Sequence, residues 1–329
     1  MKIDIELAVK ERYAKGAAQK EEALCCPTSS YDPKFLEVIP KEIVEKDYGC
    51  GDPSKYLEEG DVVLDLGSGV GKFCFIASQV VGPKGRVIGV DFNLPMLELA
   101  RKYQKEIGNR IGYHNVEFRR GRIQDLRRVV ADESVDVVVS NCVLNLVRTE
   151  EKENLFREMH RVLKRGGRVA ISDIVSDEDI PLELQEDRDL WSGCISGAFR
   201  EDLFLKAFEN AGFYGVQVAS LAEEPYRTVK GIEFRSITVT AYKGKEGPCI
   251  ERNQAVIYKG PWKEVLDDDK HILKRGIRTA VCDKTYQIFS KTPYRDEVIL
   301  VPPRETKGKA YRKTTKEVSA CSPEEGCCS

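Results

Sequence analysis

The chain has little histidine, no long apolar run and almost no net charge. Its three histidines, His114, His160 and His271, are widely spaced in 329 residues. That leaves no obvious catalytic dyad and no Cys/His cluster at zinc-finger spacing. No CxxC pair occurs either. No apolar stretch is long enough to cross a bilayer. The N-terminal MKIDIELAVKERYAKG alternates charged and apolar residues and lacks a signal-peptide core. The expected location is the cytoplasm, with no membrane partner. A formal net charge of −2 argues against a nucleic-acid footprint over the whole surface. No internal repeat is evident.

What the chain does have is cysteine, eleven in all. In a cytosolic protein these are not expected to form a disulfide framework. Several flank one glycine-rich run: Cys25, Cys26, Cys50 and Cys194 surround VVLDLGSGVGKFCF. A nucleotide-type cofactor loop needs no thiols, so the thiols point to a sulfur-seeking substrate or to direct cysteine chemistry.

Residues 1–60 read as an N-terminal extension, with a helix over Asp4–Gln19 placing Ile5, Val9 and Tyr13 on one side. From Asp61 strands and helices alternate. Strands are expected at 62–66, 86–91, VEFRRG, VDVVVSNC and RVAISDIV, the last after a KRGG turn. Helices are expected over Lys72–Val80, Met96–Glu106 and Glu151–Leu163. This is an α/β pattern, a doubly wound Rossmann-like parallel sheet over residues 61–175. In 176–243, Leu182–Ser192 and Arg200–Ala211 read as helices, VQVASL and FRSITVTAY as strands. Residues 244–303 read as a small strand-rich C-terminal module, with Cys282 inside a strand. Residues 304–329, with Cys321, Cys327 and Cys328, have almost no large apolar side chains and are expected to be disordered.

Gly67, Gly69 and Gly71 follow the first strand and open a helix, where open α/β sheets bind ligands. Asp91 ends the second strand, placed to accept hydrogen bonds from ribose hydroxyls. Two details distinguish the loop from the dinucleotide fingerprint. The spacing is GxGxG, and Asp65 precedes it by two residues. A carboxylate there disfavours pyrophosphate and suits a cationic ligand, such as the sulfonium and ammonium of S-adenosylmethionine. NAD, or a glycine turn with no ligand, are the alternatives.

Four blocks, LDLGSGVGKFC, VIGVDF, SVDVVVSNCVLNL and MHRVLKRGGRVAISD, resemble the class I S-adenosylmethionine-dependent methyltransferases. The cysteine contexts narrow this. Cys25-Cys26, Tyr48-Gly49-Cys50-Gly51, Ser140-Asn141-Cys142-Val143 and Gly193-Cys194-Ile195-Ser196-Gly197-Ala198 are similar to segments of arsenite methyltransferases. So are Cys249, QAVIYKG, Val265-Leu266-Asp267-Asp268-Asp269 and AVCDKT. The resemblance implies methyl transfer from S-adenosylmethionine to thiolate-bound trivalent arsenic. It implies arsenic thiols at Cys194 and Cys50, with Cys25 or Cys26 supplying a further one. It departs at Gly231-Ile232-Glu233, where the family has a second arsenic-binding cysteine, and Cys249 is the candidate replacement. It places Ser68 in the cofactor loop, Phe92, Met96, Ile123 and Gln124 around the adenosine, and Asn141 at the methionine end. Cys74 reads as packing, and Cys142 as packing or as a residue supporting the cofactor pocket from behind. A thiol reductant, thioredoxin or glutathione, is the implied partner. Two rival functions stay open: a methyltransferase for another small-molecule or soft-element acceptor, and a metalloid-binding protein without catalysis.

Overall fold

The computed structural model describes residues 5–19, 21, 31–46, 48–245, 247–304 and 309–310. It divides into two compact units, residues 1–243 and 244–329. In the first unit the helices are α1 (Ile5–Ala18), α2 (Pro33–Leu36), α3 (Lys41–Glu45), α4 (Lys72–Val81), α5 (Leu94–Ile111), α6 (Thr149–Val162), α7 (Leu182–Gln185), α8 (Arg188–Ser192) and α9 (Glu201–Asn210). Its strands are β1 (Val62–Leu66), β2 (Arg86–Asp91), β3 (Val116–Arg120), β4 (Val135–Asn141), β5 (Leu163–Ser176), β6 (Phe199–Arg200), β7 (Tyr214–Leu221), β8 (Arg227–Val229) and β9 (Ile232–Tyr242).

The sheet order is β3-β2-β1-β4-β5-β9-β7. The chain moves outward from β1 to β3, then crosses back to place β4 on the other side of β1. That reversal opens a crevice at the carboxyl ends of β1 and β4. β1 to β5 are parallel, as expected, but β9 runs antiparallel to both β5 and β7. The sheet is therefore mixed. β9 follows β7 with no helix between them, so the two pair antiparallel, and β9 enters the sheet between β7 and β5.

Alternation along the strands splits the core in two. Leu64, Leu66, Ile88 and Val90 face a layer with Phe156, Phe204 and Phe208. Val63, Val87, Val137 and Val139 face the opposite layer with Phe73 and Phe75. A strand buried on both faces needs apolar residues on both sides, which Val62–Leu64 of β1 and Val137–Val139 of β4 supply, with Asp65, Ser140 and Asn141 near their carboxyl ends. α5 carries Pro95 in its first turn and ends at Gly112, whose φ of 90° is left-handed.

Two local expectations need correction. Leu182–Ser192 is two short helices, because Asp187 accepts from the amides of Asp189 and Leu190 and starts a new turn as N-cap. The KRGG turn is an excursion within β5: Leu163 pairs with Val135 and Arg168 with Val137.

The second unit contains β10 (Ile250–Glu251), β11 (Ala255–Tyr258), β12 (Glu264–Leu266), β13 (Ile272–Lys274), β14 (Arg278–Ala280), α10 (Asp283–Phe289), β15 (Val298–Val301) and β16 (Lys309–Ala310). β11 lies between β14 and β15. Cys282 is not in a strand; it is the buried N-cap residue of α10. Lys309–Ala310 pairs with β10, so the disorder expected from 304 onward does not hold there. The other residues of that tail beyond 304, with Cys321, Cys327 and Cys328, lie outside the described residues.

Candidate active site

The glycine loop leaves β1 with three left-handed positions, Gly67 (φ 73°), Gly69 (51°) and Gly71 (84°). The amides of Gly67 and Ser68 donate to the Val90 carbonyl at 2.8 and 3.0 Å, which ties the loop to β2. A Cβ on Gly67 would lie 2.5 Å from the Val143 side chain, whereas one on Gly69 would meet nothing within 4 Å. Gly69 therefore borders open space, and that space is the main pocket. Asp91 braces the loop: its carboxylate accepts from the Gly69 amide at 2.9 Å and the Asn93 amide at 2.7 Å. Burial raises the Asp91 pKa, and these amides pull against that shift.

The pocket brings together Asp65, Gly67, Ser68, Gly69, Asp91, Phe92, Met96, Ile123, Gln124 and Asn141. Gly71 is not in its wall. It is the N-cap of α4 and packs against Phe118, 2.6 Å from where its Cβ would stand. Asp65 also accepts a hydrogen bond from the Cys74 thiol at 3.2 Å, so Cys74 is buried and partnered. The Ser68 hydroxyl is buried with no hydrogen-bond partner among the described residues. An unpartnered hydroxyl, an open glycine face and a carboxylate at the end of β2, all bordering one pocket, fit S-adenosylmethionine.

Sequence reasoning missed the pocket's outer wall. Glu6, Val9 and Tyr13 of α1 line it with Tyr48. Helix α1 is held across the crevice by Glu6–Arg122 at 2.6 Å, by Asn93 donating to the Lys10 carbonyl at 3.0 Å, and by Arg12 donating to Ser192 Oγ at 2.8 Å. The only sequence signal for this was the apolar side of α1.

Beside the main pocket is a smaller hollow lined by Tyr13, Tyr48, Cys142, Ile174, Gly193, Cys194 and Tyr226. Tyr13, Tyr48 and Cys142 belong to both walls. Cys142 and Cys194 thus sit at one end of the cofactor pocket, whereas Cys50 is in neither wall.

Cys50 is fixed by Asn141. The Asn141 carboxamide oxygen accepts from the Cys50 and Gly51 amides at 2.7 and 3.1 Å. Its nitrogen donates to the Gly51 carbonyl at 2.8 Å and the Tyr31 hydroxyl at 3.0 Å. A Cβ on Gly49 would lie 2.5 Å from that nitrogen, and one on Gly51 would collide with Ser172. The glycines flanking Cys50 exist because the loop lies flat on these side chains. Asn141 borders the cofactor pocket as expected, but its amide is committed to the thiol loop.

Cys194 lies on the loop after α8 with a left-handed φ of 63°. Its thiol donates to the Cys142 carbonyl at 3.2 Å and is hydrogen-bonded to the Tyr13 hydroxyl. Burial, then the neighbouring Cys194, raises the Tyr13 pKa well above its usual range. Behind the loop, Lys152 donates to the Gly197 carbonyl and lies 4.2 Å from the Phe199 ring centroid. Burial pushes Lys152 down to about 8 and Asp173 up to about 6, each partly offset by the other's charge. Asp173 accepts from the Leu144 and Ile174 amides at 2.8 Å.

The largest correction concerns Cys142. It is bonded to Cys50 in a disulfide with a Cα–Cα distance of 5.9 Å. This bond goes beyond the packing or supporting role expected of Cys142, and it joins two cysteines of a chain not expected to carry a disulfide framework. Sequence spacing of 92 residues hides the pairing; only the convergence of the β4 end and the YGCG loop creates it. Ile232, at the departure from the family pattern, is buried in the same cluster as Cys142, Cys194 and Ile174, with Cys50 packed against it. Cys249 belongs to the second unit, and its sulfur is disulfide-bonded. Cys25 and Cys26 lie outside the described residues.

Residues 57–212 match a methyltransferase domain family, and residues 245–326 match a domain of unknown function. An arsenite methyltransferase of Aquipseudomonas alcaligenes is 33% identical over 311 residues, spanning 87% of this chain and 88% of the relative. Human arsenite methyltransferase is 31% identical over 296 residues, spanning 84% and 78%. The crystal structure of an arsenic(III) S-adenosylmethionine methyltransferase from Chlamydomonas reinhardtii superposes with a TM-score of 0.64 at 27% identity. That match spans 88% of this chain and 100% of the other. No described helix is long and apolar enough to cross a membrane. The fold, the cofactor crevice and these relatives agree: the chain belongs to the arsenite methyltransferase family of S-adenosylmethionine-dependent enzymes.

Proposed function

We propose that this chain transfers a methyl group to trivalent arsenic held by Cys50 and Cys194. The observation that supports this most is the shared wall: the thiol hollow and the cofactor pocket have Cys142, Tyr13 and Tyr48 in common. Bound S-adenosylmethionine supplies an electrophilic methyl group on a sulfonium. Asp91 offers its carboxylate to the ribose hydroxyls, and Phe92, Met96 and Ile123 offer apolar walls to the adenosine. Asp65 lies where a positive charge is favoured. The thiolates of Cys50 and Cys194 displace hydroxyls from arsenic and orient its lone pair. Tyr13 and Tyr48 exclude water from the junction. No general base is needed, because the acceptor brings its own lone pair.

The Cys50–Cys142 disulfide must open before Cys50 can bind arsenic. A dithiol such as thioredoxin, or glutathione, in the cytoplasm is the matching reductant. The test is to incubate reduced protein with S-adenosylmethionine and arsenite and to separate arsenic species with elemental detection. Mono- or dimethylarsenical is the expected product. Ile232 within the thiol cluster favours a second reading, methyl transfer to a different soft-element or small-molecule acceptor. Cofactor binding without any methylated arsenic would select it.

A further inference from the structure

The loop that carries Cys194 follows α8 and leads into β6. It packs against the stretch that leaves β4, residues 143–152. That stretch holds a short 3-10 turn, Leu144–Leu146, and then enters α6.

Loop and turn fit closely. A Cβ on Gly197 would stand 2.0 Å from the Asn145 carbonyl oxygen, so a side chain there would part the two. The Trp191 indole of α8 donates to the Leu146 carbonyl at 3.4 Å. Lys152 Nζ donates to the Gly197 carbonyl. The Asn145 carboxamide nitrogen donates to the Cys194 carbonyl at 3.3 Å and to the Ile174 carbonyl at 2.6 Å. One side chain thereby ties the thiol-bearing residue to β5.

A carboxamide is an unfavourable filler for that position. Asn145 is fully buried, and its Oδ1 has no hydrogen-bond partner among the described residues. A buried oxygen without a donor weakens a fold. Leucine has the same branched outline and carries no such oxygen. Packing alone therefore does not account for the amide, whereas its two donated bonds do.

The other side of the same stretch faces the cofactor. Val143, Leu146, Val147, Arg148 and Glu151 line the main pocket. Asn145 itself is in neither the wall of that pocket nor the wall of the thiol hollow.

We propose that Asn145 is a positioning residue for methyl transfer: its carboxamide holds the Cys194 backbone against the stretch that walls the cofactor pocket, and so fixes where the Cys194 thiol stands. This rests on the reading of Cys194 as an acceptor-binding thiol and deepens it. Transfer needs the acceptor in line with the methyl group, and a misplacement of about 1 Å can cost on the order of a hundredfold in rate. Capture of the acceptor is more tolerant, because a loosened loop still closes on it.

The test uses the full chain, reduced with a phosphine, as parent, Asn145→Leu and Asn145→Ala. Leucine keeps the outline and removes the donor; alanine covers the case in which leucine fails to fold. Lys152 and Trp191 still attach the loop in both variants. Three quantities are measured. They are the rate at which iodoacetamide alkylates Cys194, S-adenosylmethionine affinity by isothermal titration, and kcat and KM for arsenite methylation.

Cys194 is 6% exposed, so alkylation requires the loop to open. Loss of a hydrogen bond that holds the loop shut should speed alkylation by about fivefold or more. The kcat should fall by about tenfold or more, with KM for arsenite changing less. Cofactor affinity should hold, because Asn145 is in no wall of that pocket. A folded variant that alkylates at the parent's rate would overturn the proposal, as would one with the parent's kcat. A loss of cofactor affinity as large as the loss of kcat would also overturn it, by showing that Asn145 supports the cofactor pocket instead. If the parent makes no methylated arsenic, the arsenic reading falls, and the alkylation rates alone decide whether Asn145 holds Cys194.

Discussion

Asn141→Ala tests whether the thiol loop is positioned from the end of β4. The Asn141 amide makes four hydrogen bonds, two from the Cys50 and Gly51 amides, one to the Gly51 carbonyl and one to Tyr31. A net contribution of about 1 kcal/mol each sets an upper range near 4 kcal/mol. Water can reach part of the half-exposed Cys50 and Gly51 backbone, so about 2–4 kcal/mol is the expected loss. For a unit of this size that lowers the melting temperature by roughly 5–15 °C. The redox state supplies an internal control. In oxidised protein the Cys50–Cys142 disulfide anchors the loop covalently, so the loss should be smaller than in reduced protein. The assay is thermal unfolding of parent and variant with and without reductant, alongside alkylation of Cys50. The variant should melt earlier and alkylate faster at Cys50, most clearly when reduced. Unchanged melting and unchanged Cys50 alkylation in the reduced state would refute the positioning argument.

Other consequences follow from the same geometry. Asp91→Ala removes the carboxylate available to two ribose hydroxyls. At about 1.5–3 kcal/mol per charge-assisted bond, cofactor affinity should fall by tenfold or more while arsenite binding holds, as isothermal titration can check. Unchanged cofactor affinity would remove the ribose assignment. Asp173 has a folded pKa of about 6 against an ordinary value of 3.8. Between those values the folded state holds a proton that the unfolded state has released, so this group's contribution to stability falls as pH rises from about 4 to 6. Asp173→Asn should flatten that slope in urea titrations across the window; an equal slope would contradict the burial argument. Gly67→Ala meets both a left-handed φ and the Val143 side chain, whereas Gly69→Ala meets only the φ. The first should be the more destabilising, Gly69→Ala costing about 1 kcal/mol and cutting cofactor binding because its methyl enters the pocket. Thermal melts that rank the two the other way would show the loop packing to be wrong.

The sequence was most legible where one element sufficed. β1 and β2 fall at 62–66 and 86–91 as expected, because short β-branched-rich runs set off by turn residues have few other uses in an α/β chain. The GxGxG loop and Asp91 were legible for the same reason. Direction and pairing at the far edge were not: nothing local to FRSITVTAY says that it runs against β5. Asp187 broke a helix through its side chain, and CDKTYQIF became a helix where β-rich composition read as strand. At the site, Cys50 stood out between glycines, but its partners did not. Asn141 and Cys142 lie about ninety residues away in sequence and meet it only through the sheet. Tyr13 closes over Cys194 from a helix that carried no motif. Asp173 had no signal beyond a charge within an apolar run, and Lys152, set between Glu151 and Glu153, had none.

The central claim is methyl transfer to arsenic bound by the thiols at the end of the cofactor crevice. The most direct measurement compares reduced parent protein with Cys194→Ser for S-adenosylmethionine binding and for methylated arsenic product in the same preparation. The account predicts equal cofactor binding and product from the parent alone. Product from Cys194→Ser at the parent's rate would contradict it.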